Sequence, residues 1–295
     1  MTVNNNVKYV FRALPGILFL FSATAKLIGI DAFEIYLFSF GWFSLGTAYL
    51  LARLVIAAEY TLGLLLLTNL CPRTAWWGAV VLLAGFTLFL AGLALAGNRD
   101  NCNCFGELVN LNPVQSIVKN AVLLALLLPA RDIPPFQVKH KALWITLMAV
   151  VPLAVVLIVS PPDNWRYDAY TRSQTVNEQA LHEALGNGTL PASLGEGDHV
   201  ICFYSLQCPF CKLSARKLVT LRERGEFSQA PLVAVFGRGE NTDTTAFLEE
   251  TGIVFDEIHF IEPSDFLTIT NGAFPVILVM HGTEVAAASN YRNLH

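Results

Sequence analysis

Val200-Ile201-Cys202-Phe203-Tyr204-Ser205-Leu206-Gln207-Cys208-Pro209-Phe210-Cys211 is the stretch on which the reading of this chain turns. A short apolar run rich in strand formers leads into a C-x-x-C, and a helical-looking stretch, 212–224, follows it. The pattern predicts strand, turn and helix, with the cysteines at the helix N-terminus. Unpaired N–H groups and partial positive charge at such an end lower a thiol pKa. Cys208, the outer member, is therefore the expected nucleophile, and Cys211 the thiol that resolves a mixed disulfide. A structural disulfide or half of a zinc site are the alternatives. Zinc needs four ligands, and no second C-x-x-C or His-x-x-x-His lies nearby, so no metal is expected.

A second pair, Cys102-Asn103-Cys104, lies far upstream between apolar segments. A disulfide across one intervening residue closes a tight ring, and strained disulfides tend to be oxidising. The pair suits an acceptor of electrons from Cys208 and Cys211; a loop staple or two free thiols are the plainer readings. Cys71, beside Pro72 and Arg73, reads as a bystander thiol, and Cys202 as a small core residue.

Composition sets the compartment. The chain is 54% hydrophobic and 14% charged, against roughly 25% charged in ordinary soluble domains. Five runs approach the ~20 residues that cross a bilayer: 9–30, 47–69, 75–97, 113–130 and 142–160. The first lacks the small-residue cleavage site of a signal peptide. Lys8, Arg12, Arg73, Arg131, Lys139 and Lys141 fall on one side if all five span, whereas Asp31, Glu34, Arg99, Asp100 and Glu107 fall on the other. The positive side is normally cytoplasmic. The expected product is a multi-pass protein of the inner cell membrane, with the N-terminus inside and the C-terminal part extracytoplasmic (periplasmic) beside Cys102 and Cys104. The net charge of −4 decides little, and no basic patch points to nucleic acid, so none is expected as a partner.

Pro161-Pro162-Asp163 ends the last apolar run and opens a polar linker with one amphipathic helix, 176–185. From there the pattern alternates: strand 200–204, helix, strand 232–236, helix 244–250, strand 257–261, then strands 275–280 and 284–288 around His281-Gly282. A β-α-β unit followed by a hairpin is an α/β sandwich. Four segments result: 1–130 and 131–160 in the membrane, the linker 161–198, and the α/β domain 199–295.

The α/β segment resembles the thioredoxin superfamily through Cys208-Pro209-Phe210-Cys211 after a strand and Ala273-Phe274-Pro275 before one. The resemblance implies a cis-proline at Pro275 that faces the C-x-x-C and holds a client peptide as an added strand; edge punctuation is the other use of such a proline. Thioredoxins proper carry a buried aspartate where this chain has Cys202. The membrane segment resembles the DoxX/MauE group of four-helix proteins through Arg12, Gly16, Phe19, Ser22, Ala25 and Lys26, and through Arg53, Glu59 and Gly63. Cys102-Asn103-Cys104-Phe105-Gly106, with Asn120 further on, resembles the MauE signature, and such proteins are thought to support disulfide formation in a maturing dehydrogenase.

Together these imply a membrane helical bundle, with a four-helix MauE/DoxX-like unit and a fifth helix, followed by a thioredoxin-like domain. The function expected is thiol–disulfide exchange, with electrons from extracytoplasmic client thiols passing through Cys208 and Cys211 to Cys102 and Cys104, and on to a membrane quinone. Lys26, Arg53 and Glu59 are charges inside apolar helices, which usually mark a site or an interhelical pair. As a site they would stabilise a thiolate or a quinone oxygen; as pairs they would hold the bundle. Flow in the reducing direction, or a non-enzymatic assembly or docking role, are the alternative functions.

Overall fold

The computed structural model describes residues 5–95, 104–109, 111–162, 176–239 and 242–294. Cys102 and Asn103, with Arg99 and Asp100 and linker residues 163–175, lie outside them. The described chain divides into a helical unit, within Met1–Leu37 and Gly46–Pro162, and a second unit that takes Phe38–Leu45 together with the α/β residues after Pro162.

The helical unit holds α1 (Asn5–Ile28), α2 (Ile30–Ser39), α3 (Leu45–Thr68), α4 (Pro72–Leu95), the short strand β1 (Cys104–Glu107), α5 (Pro113–Leu127) and α6 (Lys141–Val159). Five segments of 18 to 24 residues are long and apolar enough to cross a membrane: Val7–Ile28, Leu45–Thr68, Pro72–Leu95, Pro113–Ala130 and Lys141–Val159. The hydrophobic runs foretold these five. They did not foretell α2, read as an outer loop, nor β1. α2 buries Ile30 and Phe33 against Ala52 and Ile56 of α3, so tertiary packing stabilises a ten-residue helix that propensity alone would not hold.

Helix ends follow local chemistry. At α5, Asn112 accepts from the Gln115 N–H at 2.8 Å, and the Gln115 side chain accepts from the Asn112 N–H at 3.0 Å, a reciprocal cap with Pro113 in the first turn. α1 and α3 approach through glycines. A Cβ on Gly63 would fall 2.9 Å from the Gly16 carbonyl oxygen, so small residues set this helix spacing.

The α/β unit runs α7 (Glu178–Gly186), β2 (Asp198–Tyr204), α8 (Pro209–Glu223), β3 (Leu232–Gly237), α9 (Thr245–Thr251), β4 (Glu257–Ile261), α10 (Pro263–Ile269), β5 (Val276–His281) and β6 (Glu284–Ser289). The sheet order is β4-β3-β2-β5-β6, with β2, β3 and β4 parallel and β5 and β6 antiparallel. Alternation along β2 sends Ile201 and Phe203 to a core shared with α7 and α10. Tyr204 and Phe236 meet Phe247 of α9. This is the thioredoxin-like arrangement. Helix α10 was not foreseen between 257–261 and 275–280, because its seven residues carry too little periodicity.

Gly106 generates a prediction. Its φ is +56°, and a Cβ there would lie 2.6 Å from the Ala25 carbonyl oxygen of α1. Left-handed backbone at a non-glycine residue costs on the order of 1–3 kcal/mol, and the clash with main chain adds to it. Gly106→Ala should lower thermal stability in detergent, while Gly85→Ala, with open space around it, should leave it unchanged or higher. Equal melting profiles for wild type and Gly106→Ala would refute the close approach.

Candidate functional site

Cys208 is the N-cap of α8, and Pro209 opens the first turn. The helix thus begins inside the C-x-x-C, earlier than the sequence boundary at 212. Cys208 is half-buried and Cys211 fully buried; both are free thiols in this structure. The Cys208 pKa is lowered to about 6. Its largest cause is a hydrogen bond from the Cys211 thiol; main-chain N–H groups of Cys211 and Phe210 add to it, and partial burial opposes it. The Cys211 thiol is held far above its ordinary range by burial first, then by its bond to Cys208. The Ser205 N–H points at Cys211 Sγ from 3.3 Å.

Pro275 follows a cis peptide bond from Phe274 and leads into β5, the strand paired with β2. Phe210 and Phe274 stay 43% and 41% exposed. The Phe210 ring is tilted against Tyr291 at 5.8 Å, and Phe274 meets Phe266 edge to face at 6.1 Å. Sequence reading took both aromatics only as parts of motifs and did not foresee their exposure. Cys202 lies on β2 between Ala234 and Ile277, and burial raises its pKa to about 12. It stays a neutral thiol and cannot replace the aspartate of thioredoxins as a proton acceptor.

In the helical unit, Cys104 is disulfide-bonded and 1% exposed. Its carbonyl oxygen accepts from Ser22 Oγ of α1 at 2.8 Å, and Ser116 Oγ of α5 lies 3.2 Å from its Sγ. Lys26 Nζ donates to Ser22 Oγ at 2.6 Å and to both Glu59 carboxylate oxygens at 2.7 and 2.9 Å. Three bonds use all three protons of the ammonium. Arg53 donates through Nη1 to Glu34 and to the Tyr49 carbonyl, through Nε to the Ser160 carbonyl and through Nη2 to the Pro161 carbonyl. Lys26, Arg53 and Glu59 are therefore engaged in pairs that hold the bundle. So engaged, Lys26 and Arg53 do not fit as donors to a quinone oxygen. Glu34, read as an outer-loop charge, is the unforeseen partner. Among the described residues no cluster of three His, Cys, Asp or Glu could hold a metal ion.

Thiol titration follows from these positions. A pKa of about 6 leaves Cys208 mostly thiolate at pH 7, whereas Cys211 stays protonated. In the reduced full-length protein, iodoacetamide should modify Cys208 with a half-maximal rate near pH 6, falling below it as the thiolate takes up its proton. Cys211 should stay unmodified up to pH 9. Peptide mass spectrometry reads both, and faster reaction at Cys211 would reverse their roles.

Residues 4–131 match the family described as Methylamine utilisation protein MauE. The Flavobacterium psychrophilum protein named Protein TlpB is 26% identical to this chain over 301 residues, which cover 83% of this chain and 80% of that protein. No solved structure matches this chain. Residues 4–131 are thus similar to the MauE family, and that stretch holds the Gly106 turn seated on α1 and the disulfide-bonded Cys104.

Proposed function

We propose that this chain is a membrane-bound thiol–disulfide oxidoreductase. Client thiols are oxidised at Cys208 and Cys211, the electrons pass to Cys102 and Cys104, and a membrane quinone receives them. The observation that carries this reading is the stabilised Cys208 thiolate over a buried, protonated Cys211. Stabilising the reduced form of a dithiol makes its disulfide a stronger oxidant.

Each new client disulfide releases two electrons and two protons. They reduce the Cys208–Cys211 disulfide to two thiols, then the disulfide of the membrane domain. Reduction of a lipid-soluble quinone to quinol closes the balance. The similarity to Protein TlpB covers 83% of the chain and so extends over both units, which supports a joint task for them. The distribution of Lys and Arg supports an inner-membrane protein with its α/β unit outside the cytoplasm. Phe210 and Phe274 favour client peptides with apolar residues beside the cysteine.

Reconstitution in liposomes with a reduced dithiol peptide and ubiquinone tests the reading. One quinol should form per peptide disulfide, and Cys208→Ser should slow peptide oxidation about a hundredfold or more. A Cys208–Cys211 pair found mostly reduced in intact cells, or peptide oxidation untouched by Cys208→Ser, would overturn the proposal.

A further inference from the structure

The membrane cysteine pair has two sulfurs, and the surroundings of Cys104 assign its role. Cys104 is 1% exposed, so an incoming thiolate cannot reach its sulfur along the line of the S–S bond without moving the loop. That loop is pinned, by Ser22 Oγ on the Cys104 carbonyl and by Gly106 against the Ala25 main chain. On its inner side Ser116 Oγ stands 3.2 Å from Cys104 Sγ. Lys119 lies three residues further along α5, on the same helix face, with Nζ 4.6 Å from the ring centre of Phe105. The adjoining charges are Lys26 of α1 and Glu59 of α3, both within electrostatic range of Lys119. Two ammonium groups against one carboxylate leave this buried region with an excess positive charge among the described residues. Asn120, wholly buried next to Lys119, donates to Thr87 at 3.1 Å, while its Oδ1 has no hydrogen-bond partner. This unspent buried acceptor lies one turn from Ser116 on α5 and calls for an explanation.

We propose that Cys104 is the leaving sulfur of the membrane disulfide, and that Ser116 and Lys119 form the seat that stabilises its thiolate. The proposal rests on the thiol–disulfide reading above. The client-side thiolate attacks the disulfide partner of Cys104, a new S–S bond forms there, and the old bond breaks with its electron pair on Cys104 Sγ. The Ser116 hydroxyl donates to that thiolate, and the Lys119 ammonium offsets its charge. The second thiol of the attacking pair then displaces the mixed disulfide. Its proton passes to the departing partner of Cys104, so two electrons and one proton have moved from dithiol to disulfide, and the negative charge of the attacking thiolate now rests on Cys104. Hydrogen bonds to an ionised group are the stronger kind, so the seat favours the reduced state of this pair and makes it a ready electron acceptor.

The test is a redox titration of full-length protein in detergent, equilibrated with glutathione buffers, in which mass spectrometry quantifies the Cys104 disulfide. At pH 8, Ser116→Ala and Lys119→Gln should each lower the equilibrium constant for reduction about tenfold, which is ~30 mV for a two-electron couple. Ser116→Thr and Lys119→Arg should keep the wild-type value. At pH 5, where the thiol is protonated in every variant, the differences should vanish. Identical potentials at pH 8, or a loss of the same size at both pH values, would overturn the seat; the Lys119 pair decides the matter if Ser116→Ala fails to fold. An oxidant-driven covalent link should form between Cys208 and Cys102 in the Cys104→Ser, Cys211→Ser protein, and not between Cys208 and Cys104 in the Cys102→Ser, Cys211→Ser protein. The opposite pattern would overturn the leaving-group assignment. If neither link forms while the potentials shift as expected, the seat stands and the proposed relay between the pairs falls.

Discussion

Charge inside hydrocarbon has to be paired, and the helical unit is organised around that requirement. Lys26 of α1 meets Glu59 of α3, and Arg53 of α3 meets Glu34 of α2. Arg53 also takes the Ser160 and Pro161 carbonyls, which the end of α6 leaves without intrahelical donors. Two ion pairs therefore tie together α1, α2, α3 and the end of α6. Breaking either pair by removing one partner would strand a charge, which is far costlier than never having buried it. The disulfide loop inherits this rigidity, since Ser22 links Lys26 to the Cys104 carbonyl.

The two cysteine sites solve opposite problems. Cys208 sits at a helix start with its sulfur half-exposed and its negative charge stabilised by N–H groups and a neighbouring thiol. Cys104 is buried and disulfide-bonded. Under the proposed relay the first is the nucleophile and the second lies in the acceptor pair. At Cys202 a neutral, buried thiol stands where thioredoxins place an acid, and the Cys211 thiol stays protonated.

Strong local signals made much of the fold legible. Runs of about 20 apolar residues have one physical use, so the five membrane helices were readable from composition. Strand periodicity and turn residues placed β2 through β6 within one or two positions, and the C-x-x-C with Ala273-Phe274-Pro275 marked the dithiol and the cis-proline before β5. α2 and α10 escaped notice because short helices are stabilised by what they pack against. The start of α8 was placed three residues late because Pro209 reads as a turn residue until its role in a first helical turn is seen.

The charged residues show where sequence reading ends. Lys26, Arg53 and Glu59 were conspicuous as charges among apolar neighbours, and the sequence left two uses open, a site or a pair. Only the fold brings Glu59 from 33 residues away onto Lys26 and turns Glu34 toward Arg53, because pairing depends on which helix faces meet and not on sequence spacing. In the same way the sequence by itself determined that two cysteine pairs exist, one at a helix start and one in a membrane loop. That Cys104 is buried, that Ser116 lies against its sulfur and that Gly106 has no room for a side chain were decided by tertiary structure. Each depends on the approach of α1 and α5 to a loop distant in the chain, and such approaches are set by packing rather than by local preference.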